Sequence, residues 1–291
     1  MISYTETPIQ NIHSPLLDKA GLRLYIKRED MNHPSVSGNK WWKLKYNLSR
    51  ALECGAKKLL TFGGAYSNLI YATAAAAKEC GLESVGIIRG EEHLPLNPIL
   101  SFAKSQGMQL RYVSREEYAR KSEPKFLENL ATEFGEFYLI PEGGTNQQAI
   151  KGCAEWGAIL ARQEFDYLCL PVGTGGTIAG IVIGLAGKRK IVGYSVLKGG
   201  EFLTEEVKKL VFDFGSAQFF NWEIETGYHF GGYAKLDKPL YDFIATINRD
   251  NNLPLDPVYT AKMVFGIFDG VRNNKFENGS TLLAIHTGGI H

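Results

Sequence analysis

One lysine is distinguished by its position at the start of a predicted helix. Within residues 37–46, a Gly-Asn turn comes directly before Lys40. The apolar residues that follow recur at i, i+4, i+7 and i+8, the spacing of an amphipathic helix: Leu44, Leu48, Ala51 and Leu52. Gly55 is a suitable stop signal just past the end of that helix. Asn39 is therefore predicted to be the N-cap, and Lys40 to lie in the first helical turn.

The first turn of a helix is an unusual place for a lysine. The helix dipole presents partial positive charge there, so a cation is disfavoured, and burial lowers a lysine pKa further. A lysine of this kind can form a Schiff base with a carbonyl compound. On this stretch alone, a solvated helix face that carries Lys40, Lys43 and Lys45 is favoured over a reactive lysine.

A glycine-rich loop between a predicted strand and a predicted helix is the strongest local signal for an anion site. The loop consists of Gly173, Thr174, Gly175, Gly176 and Thr177. Glycines allow backbone N–H groups to approach an anion, and the helix N-terminus adds a favourable potential. The Lys-Ser/Thr ending of a P-loop is absent, and Ile178 stands where a G-x-G-x-x-G motif has its third glycine. A phosphate-binding loop is favoured over a merely tight turn.

Other polar residues are open to two interpretations. Ser67 and Asn68 stand at the head of an alanine-rich helix, where capping is the first interpretation. The alternative is that they bind a substrate carboxylate or a cofactor. Tyr233 and Tyr259 are by pattern core or rim aromatics. The six histidines show no metal-ligand spacing, and no metal site is predicted.

The elements that must position these residues alternate between strand and helix. Strands are predicted at 22–26, 58–62, 84–88, 109–113, 136–140, 167–172, 191–196 and 281–285. Further helices are predicted at 67–80, 97–106, 123–133, 204–212, 239–248 and 258–271. Two more follow the turn that ends at residue 146 and the loop that ends at residue 177, and they extend to about residues 162 and 185. An aromatic-rich, irregular stretch is expected at 215–232. This order predicts an α/β fold with mostly parallel sheets, and four glycine-rich turns at the carboxyl ends of strands would open on one cleft: 63–64, 143–144, 173–176 and 288–289.

Composition excludes several classes of protein. The chain has 291 residues, of which 44% are hydrophobic and 22% charged, and a formal net charge of +1, which gives no electrostatic footprint for nucleic acid or a membrane surface. No signal peptide and no bilayer-spanning run are recognised. The cysteines lack metal-cluster spacing and are expected to be small core residues of a cytoplasmic protein: Cys54, Cys80, Cys153 and Cys169.

Taken together, these motifs resemble a known family. The set comprises Ser37-Gly-Asn-Lys40 with Lys43, Gly63-Gly-Ala-Tyr-Ser67-Asn68, Pro141-Glu-Gly-Gly144, Gly173–Thr177, Asp256-Pro-Val-Tyr259-Thr260 and His286-Thr-Gly-Gly289. It resembles the family of 1-aminocyclopropane-1-carboxylate deaminase and D-cysteine desulfhydrase, which are fold-type II pyridoxal-phosphate enzymes. The resemblance implies two three-layer αβα domains, the larger formed by residues 1–49 and 146–291 and the smaller inserted at 50–145. It also implies a homodimer that acts on a small amino acid.

The family pattern implies a role for each matching residue. Lys40 would hold pyridoxal 5'-phosphate covalently, while Asn39, Lys43 and the loop Gly173, Thr174, Gly175, Gly176, Thr177 would bind its phosphate. Asn68 would bond the ring oxygen or the phosphate side of the cofactor, and Ser67 the substrate carboxylate. Tyr233 and Tyr259 would flank the substrate. A base, with Lys40 as first choice, would remove the Cα proton.

Two positions divide the family by reaction. Ring-opening deaminases carry a glutamate after the tyrosine of D-P-V-Y, which keeps the pyridine nitrogen protonated, and a leucine before the final Gly-Gly. Thr260 and Thr287 occupy these positions here. A hydroxyl cannot hold a pyridinium as a carboxylate can, so the electron sink is weaker and suits α,β-elimination with a good leaving group. The resemblance therefore points to D-cysteine desulfhydrase chemistry.

Alternatives remain open from the sequence. They are a 1-aminocyclopropane-1-carboxylate deaminase, a non-catalytic binder of pyridoxal phosphate or another phosphorylated small molecule, and, more weakly, a nucleotide-binding protein. Tyr66 and Leu69 also replace the polar residues that the family usually has on either side of Ser-Asn. This departure changes the polar groups near the substrate.

Overall fold

Hydrophobic strands that alternate with amphipathic helices form two separate β-sheets in the computed structural model, which describes residues 2–215 and 218–290. The strands in the described residues are β1 (Ile9–Ile12), β2 (Arg23–Lys27), β3 (Lys58–Gly64), β4 (Glu83–Arg89), β5 (Gln109–Val113), β6 (Tyr138–Ile140), β7 (Tyr167–Val172), β8 (Lys190–Ser195), β9 (Trp222–Glu225) and β10 (Thr281–Ile285). The α-helices are α1 (Pro15–Ala20), α2 (Asn39–Glu53), α3 (Asn68–Glu79), α4 (Pro98–Ser105), α5 (Arg115–Ala119), α6 (Pro124–Phe134), α7 (Gln147–Leu160), α8 (Gly176–Leu185), α9 (Leu203–Gly215), α10 (Lys238–Asn251) and α11 (Thr260–Arg272).

The two sheets differ in size and are mostly parallel. The larger has the order β1-β2-β10-β7-β8-β9, with only the β1–β2 pair antiparallel. The smaller has the order β5-β4-β3-β6 and is parallel throughout. Its strands all lie between residues 58 and 140, inside the segment 50–145 predicted as an inserted domain. The domain bounds themselves remain a prediction.

Apolar side chains cover both faces of each sheet. On one face of the large sheet, α2, α7 and α8 build a core in which Trp42 stacks on Trp156, with ring centroids 5.5 Å apart and an interplanar angle of 5°. On the other face, α1, α10 and α11 pack over β2, β7 and β10. Two smaller clusters cover the faces of the small sheet. This layering agrees with the predicted three-layer α/β architecture.

Most predicted elements are confirmed, with small shifts at their ends, but four short ones were missed: β1, α1, α5 and β9. Strand β9 lies inside the stretch 215–232 that was expected to be irregular, and residues 216–217 of that stretch lie outside the described residues. Four-residue strands and a five-residue helix carry too few side chains to show a periodicity, so pattern analysis passes over them.

Two expectations about burial were wrong. Leu52, assigned to the apolar face of α2, is 42% exposed, because the last turn of the helix runs past the core. Cys153 and Cys169 are buried as expected, but Cys54 is exposed and Cys80 is half-buried.

In the described chain, no helix has both the length and the apolar character needed to cross a bilayer. No group of three or more His, Cys, Asp or Glu side chains in the described ranges is arranged to hold a metal ion.

Candidate active site

A cleft of about 630 Å³ brings most of the predicted site residues together. Twelve of them contribute to its walls: Asn39, Lys40, Lys43, Ser67, Asn68, Gly173, Thr174, Gly175, Thr177, Tyr233, Tyr259 and Thr287. The residues that follow β3, β7 and β10 meet here, as expected for the carboxyl ends of parallel strands. Gly176 and Thr260 are not part of the walls. The volume is in the range typical of small-molecule sites.

The turn before Lys40 differs from the prediction in one respect. Lys40 does lie in the first turn of α2, but the N-cap is Gly38 and not Asn39. Gly38 has φ of 69° and ψ of −144°, and a Cβ there would lie 1.9 Å from the carbonyl oxygen of Thr287. Only glycine tolerates this conformation and this close approach. The Asn39 side chain is thereby free for other contacts: it donates to Thr177 Oγ1 (2.8 Å) and accepts from Lys40 Nζ (2.9 Å).

A buried carboxylate holds this turn in place. Glu29 is fully buried, and its side chain accepts hydrogen bonds from Thr7 Oγ1 (2.9 Å), Asn32 Nδ2 (3.0 Å) and Trp42 Nε1 (2.9 Å). Its backbone carbonyl accepts from the N–H of Gly38 at 2.9 Å. Glu29 therefore links the chain before the turn to the helix after it.

Two lysines of α2 face the cleft with lowered pKa values. Burial lowers the pKa of Lys40 to about 7, and the neighbouring positive charge of Lys43 acts in the same direction. Burial lowers the pKa of Lys43 to about 8. Lys43 is 2% exposed and donates to the carbonyl of Gly143 at 2.7 Å. The solvated lysine face is therefore wrong for these two residues, and only Lys45 points away, to Glu155.

The glycine-rich loop leads into α8, as its sequence predicts. Gly175 is the N-cap of this helix with φ of 78°, and Gly176 is its first residue. The first N–H groups of a helix lack partners within the helix, which makes such a terminus a site for an anion. Thr174 Oγ1 lies 2.8 Å from Thr145 Oγ1, and Thr177 Oγ1 accepts the bond from Asn39. These contacts tie the loop to the Lys40 turn.

Ser67 and Asn68 begin α3 at the other side of the cleft. Ser67 is the N-cap and its hydroxyl accepts from the N–H of Ile70 at 3.4 Å, so the capping interpretation is confirmed. Both residues also line the cleft. A contact of either with a ligand stays a prediction.

Two tyrosines form a wall of the cleft. The rings of Tyr233 and Tyr259 meet edge to face with centroids 6.0 Å apart, and a Cβ on Gly173 would lie 3.3 Å from the Tyr259 ring. Burial raises the pKa of both phenols. They therefore stay neutral around pH 7 and can donate hydrogen bonds.

Asp256, beneath this wall, was not predicted as a site residue. It is 4% exposed and accepts from the N–H groups of Val258 (3.2 Å) and Tyr259 (2.7 Å). Burial raises its pKa to about 6, whereas those hydrogen bonds and the charge of Lys40 act in the opposite direction. The D-P-V-Y motif was the available signal for it.

The two threonines that divide the family are placed differently. Thr260 is the first residue of α11, fully buried, and its hydroxyl donates to the carbonyl of Asp256 at 3.2 Å. Thr287 lines the cleft, and its carbonyl accepts from the N–H of Asn39 at 3.3 Å.

A group of charged residues at one edge of the cleft was also missed. We define the cleft-edge cluster as Arg89, Tyr118, Lys121 and Glu142. Tyr118 donates to Glu142 at 2.7 Å, and Lys121 pairs with Glu142 at 3.2 Å. Arg89, the segment 118–121 and Glu142 are distant from one another in sequence and belong to no common motif, so only the fold reveals that they are neighbours.

A lysine with a lowered pKa and an anion-binding helix terminus, facing each other between two parallel sheets, define a fold-type II pyridoxal-phosphate enzyme. The family model described as "Pyridoxal-phosphate dependent enzyme" matches residues 2–288. A Pyrococcus horikoshii protein named "Putative 1-aminocyclopropane-1-carboxylate deaminase" is 33% identical, covering 98% of this chain and 90% of its own. The Arabidopsis thaliana "Bifunctional D-cysteine desulfhydrase/1-aminocyclopropane-1-carboxylate deaminase, mitochondrial" is 30% identical, covering 99% of this chain and 77% of its own.

Solved structures agree. A structure described as an "ACC deaminase homologue" superposes with a TM-score of 0.88 and 31% identity, over 100% of this chain and 91% of the other. Threonine deaminase isoform 2 from Solanum lycopersicum, with a TM-score of 0.71 and 18% identity over 99% of this chain and 80% of the other, shares the fold. The chain therefore belongs to the pyridoxal-phosphate-dependent enzymes, in the family of 1-aminocyclopropane-1-carboxylate deaminase and D-cysteine desulfhydrase, and its cofactor is pyridoxal 5'-phosphate. The predictions of family, fold and cofactor are confirmed.

Proposed function

We propose that this enzyme catalyses α,β-elimination from a small amino acid, as a D-cysteine desulfhydrase does, and releases a 2-oxo acid, ammonia and the leaving group. With D-cysteine and water the products would be pyruvate, hydrogen sulfide and ammonia. The observation that carries the proposal is that Lys40 lies in the cleft of a chain that has Thr260 and Thr287 at the two positions that divide the family.

The residues of the cleft fit the cofactor. Burial lowers the pKa of Lys40 to about 7, so about half of this amine is neutral at pH 7, and the neutral amine is the form that reacts with an aldehyde. Asn39, Lys43 and the loop 173–177 would hold the phosphate beside the N-terminus of α8, and Asn68 would bond the ring oxygen or the phosphate side. When bound, pyridoxal phosphate supplies an electron sink that stabilises negative charge at Cα.

Side chains of the protein itself would move the Cα proton, orient the substrate and exclude water. Lys40 would accept the Cα proton, and its pKa of about 7 suits a base that operates at neutral pH. Ser67, held by its capping bond at the start of α3, would orient the substrate carboxylate. Tyr233 and Tyr259 would flank the substrate as neutral phenols and exclude water from that side.

Thr260 and Thr287 support elimination over ring opening. The Thr260 hydroxyl carries no negative charge, so it cannot hold a pyridine nitrogen protonated as a carboxylate does, and its own proton is already donated to the Asp256 carbonyl. A weaker electron sink suffices when a thiolate leaves from Cβ. Opening a cyclopropane, whose Cα has no proton to remove, requires a stronger electron sink. The names of the relatives keep 1-aminocyclopropane-1-carboxylate deamination as the second candidate.

A product assay tests the proposal. Purified holoenzyme is incubated with D-cysteine, L-cysteine and 1-aminocyclopropane-1-carboxylate, and hydrogen sulfide and 2-oxo acids are measured. Lys40→Ala is the inactive variant, and Lys45→Ala is its matched control on the same helix, because Lys45 pairs with Glu155 outside the cleft. Release of hydrogen sulfide supports the proposal, and 2-oxobutyrate from the cyclopropane substrate favours the second candidate. A holoenzyme without any turnover favours a non-catalytic binder.

We further propose, on the family resemblance, a large domain of residues 1–49 and 146–291 with residues 50–145 inserted, and a cytoplasmic homodimer. The four-stranded sheet inside 58–140 supports the insertion. Sedimentation velocity tests the dimer, which predicts twice the mass of the 32.3 kDa chain.

A further inference from the structure

The cleft-edge cluster lies where the small sheet meets the cleft. Arg89 is the last residue of β4, and Lys121 follows α5. A Cβ on Gly64 would lie 3.6 Å from a terminal nitrogen of Arg89, so the guanidinium lies over the loop that leads to Ser67. Arg89 and Lys121 both contribute to the cleft walls together with Ser67, Tyr233 and Lys40.

The cluster carries an excess positive charge. Both cations lie against the ring of Tyr118, Arg89 at 5.5 Å and Lys121 at 5.0 Å from its centroid. Glu142 accepts from Tyr118 and pairs with Lys121, so its charge is matched by one lysine. Among the described residues, no carboxylate lies within ion-pair distance of Arg89. Its guanidinium therefore keeps its planar donors for another acceptor.

Arg89 and Tyr233 line the same cleft. Burial raises the pKa of Tyr233, and the positive charge of Arg89 acts against that rise while Glu142 adds to it. The phosphate loop 173–177 belongs to the large sheet and the Lys40 side of the cleft. Arg89 lies against Gly64, in the loop that leads to Ser67, and Ser67 is the residue proposed to orient the substrate carboxylate, so a ligand charge at Arg89 would belong to the substrate.

We propose that Arg89 is a subsite for a second anionic group of the substrate, so that this enzyme prefers a β-substituted amino acid whose leaving group ends in an acid. The inference rests on the proposed elimination and names its substrate class. In S-carboxymethylcysteine, the Cα proton passes to Lys40, the Cβ–S bond breaks with its electron pair on sulfur, and the thiolate takes up a proton. With one water, the products are pyruvate, ammonia and mercaptoacetate.

The test compares this acid with its neutral amide, S-carbamoylmethylcysteine, each as both enantiomers. The pair has nearly the same shape and the same α-carboxylate, but the two thiolates differ as leaving groups, so the change in the acid-to-amide ratio between variants reports the contact with the distal charge. The variants are Arg89→Gln and, as matched control, Arg111→Gln on the neighbouring strand, where Arg111 pairs with Glu133 outside the cleft. Kinetics give kcat/KM, and calorimetric titration of the same holoenzymes gives dissociation constants.

We expect the acid-to-amide ratio to be about tenfold higher in the wild type and Arg111→Gln than in Arg89→Gln, which should still accept the amide. The same ratio in the wild type and in Arg89→Gln would overturn the subsite. An Arg89→Gln variant that loses both ligands equally would also overturn it, because Arg89 would then bind the α-carboxylate. If neither compound releases pyruvate, the proposed elimination fails for them, and the ratio of dissociation constants still decides on the subsite.

Discussion

Replacing Gly38 by alanine should damage both stability and cofactor binding, because this residue positions the Lys40 turn. Its backbone lies in a region that only glycine adopts readily, which costs an alanine about 1–3 kcal/mol. The new Cβ would also lie 1.9 Å from the Thr287 carbonyl oxygen, so one of the two backbone segments must move by more than an ångström. Overpacking of this kind adds about 1–3 kcal/mol. We expect a total loss of about 2–6 kcal/mol.

Gly55 provides a matched control at the other end of the same helix. Its φ is 72°, close to that of Gly38, but no atom lies within 4 Å of a Cβ placed there. Gly55→Ala therefore meets only the left-handed backbone cost of about 1–2 kcal/mol. Urea unfolding of the apo-proteins gives the free energies, and absorbance of the bound cofactor gives its occupancy. Equal losses in the two variants, or full occupancy in Gly38→Ala, would refute the positioning role.

Three further predictions concern the site. Glu29→Gln should destabilise the protein by about 3 kcal/mol, because a buried, charged acceptor of several hydrogen bonds is lost. The control Glu53→Gln, at an exposed residue of α2, should change stability by less than about 0.5 kcal/mol. Equal urea midpoints for the two variants would contradict this prediction. Uptake of pyridoxal phosphate by the apo-protein should become faster as pH rises, because only the neutral amine of Lys40 reacts. The midpoint of this rise should lie near pH 7, since the pKa of Lys40 is lowered to about 7. A rate that still rises at about pH 10, as for an ordinary lysine, would exclude the lowered pKa. Thr260→Glu combined with Thr287→Leu should lower hydrogen sulfide release and raise 2-oxobutyrate release from 1-aminocyclopropane-1-carboxylate, and an unchanged product ratio would show that these positions do not choose the reaction.

The sequence predicted those parts of the fold whose signals are local. Buried strands such as β7 and β10 are short apolar runs bounded by turns, and their limits were predicted to the residue. The Lys40 turn and the loop 173–177 were found because glycine, a helix start and a polar residue fall together in a few positions. Strand β9 was missed, because its pairing with β8 makes it a strand and its own four residues are too few to show a strand pattern.

Contacts between distant segments could not be predicted in the same way. Asn39 has the usual identity of an N-cap, yet the approach of Thr287, almost 250 residues away, requires glycine at that place. The burial that lowers the pKa of Lys43 depends on Gly143, and the cleft-edge cluster draws on three separate elements. Such neighbours are set by tertiary packing, which one sequence does not display.

The most direct test of the account is to locate the cofactor on the chain. Purified protein is examined by visible absorbance, reduced with borohydride, digested and mapped by mass spectrometry, with Lys40→Ala treated in parallel. We expect a yellow protein whose reduced cofactor is attached to Lys40 alone, and no attachment in the variant. Attachment to Lys43 or another lysine, or a colourless protein that takes up no added pyridoxal phosphate, would contradict the assignment of Lys40 and the mechanism built on it.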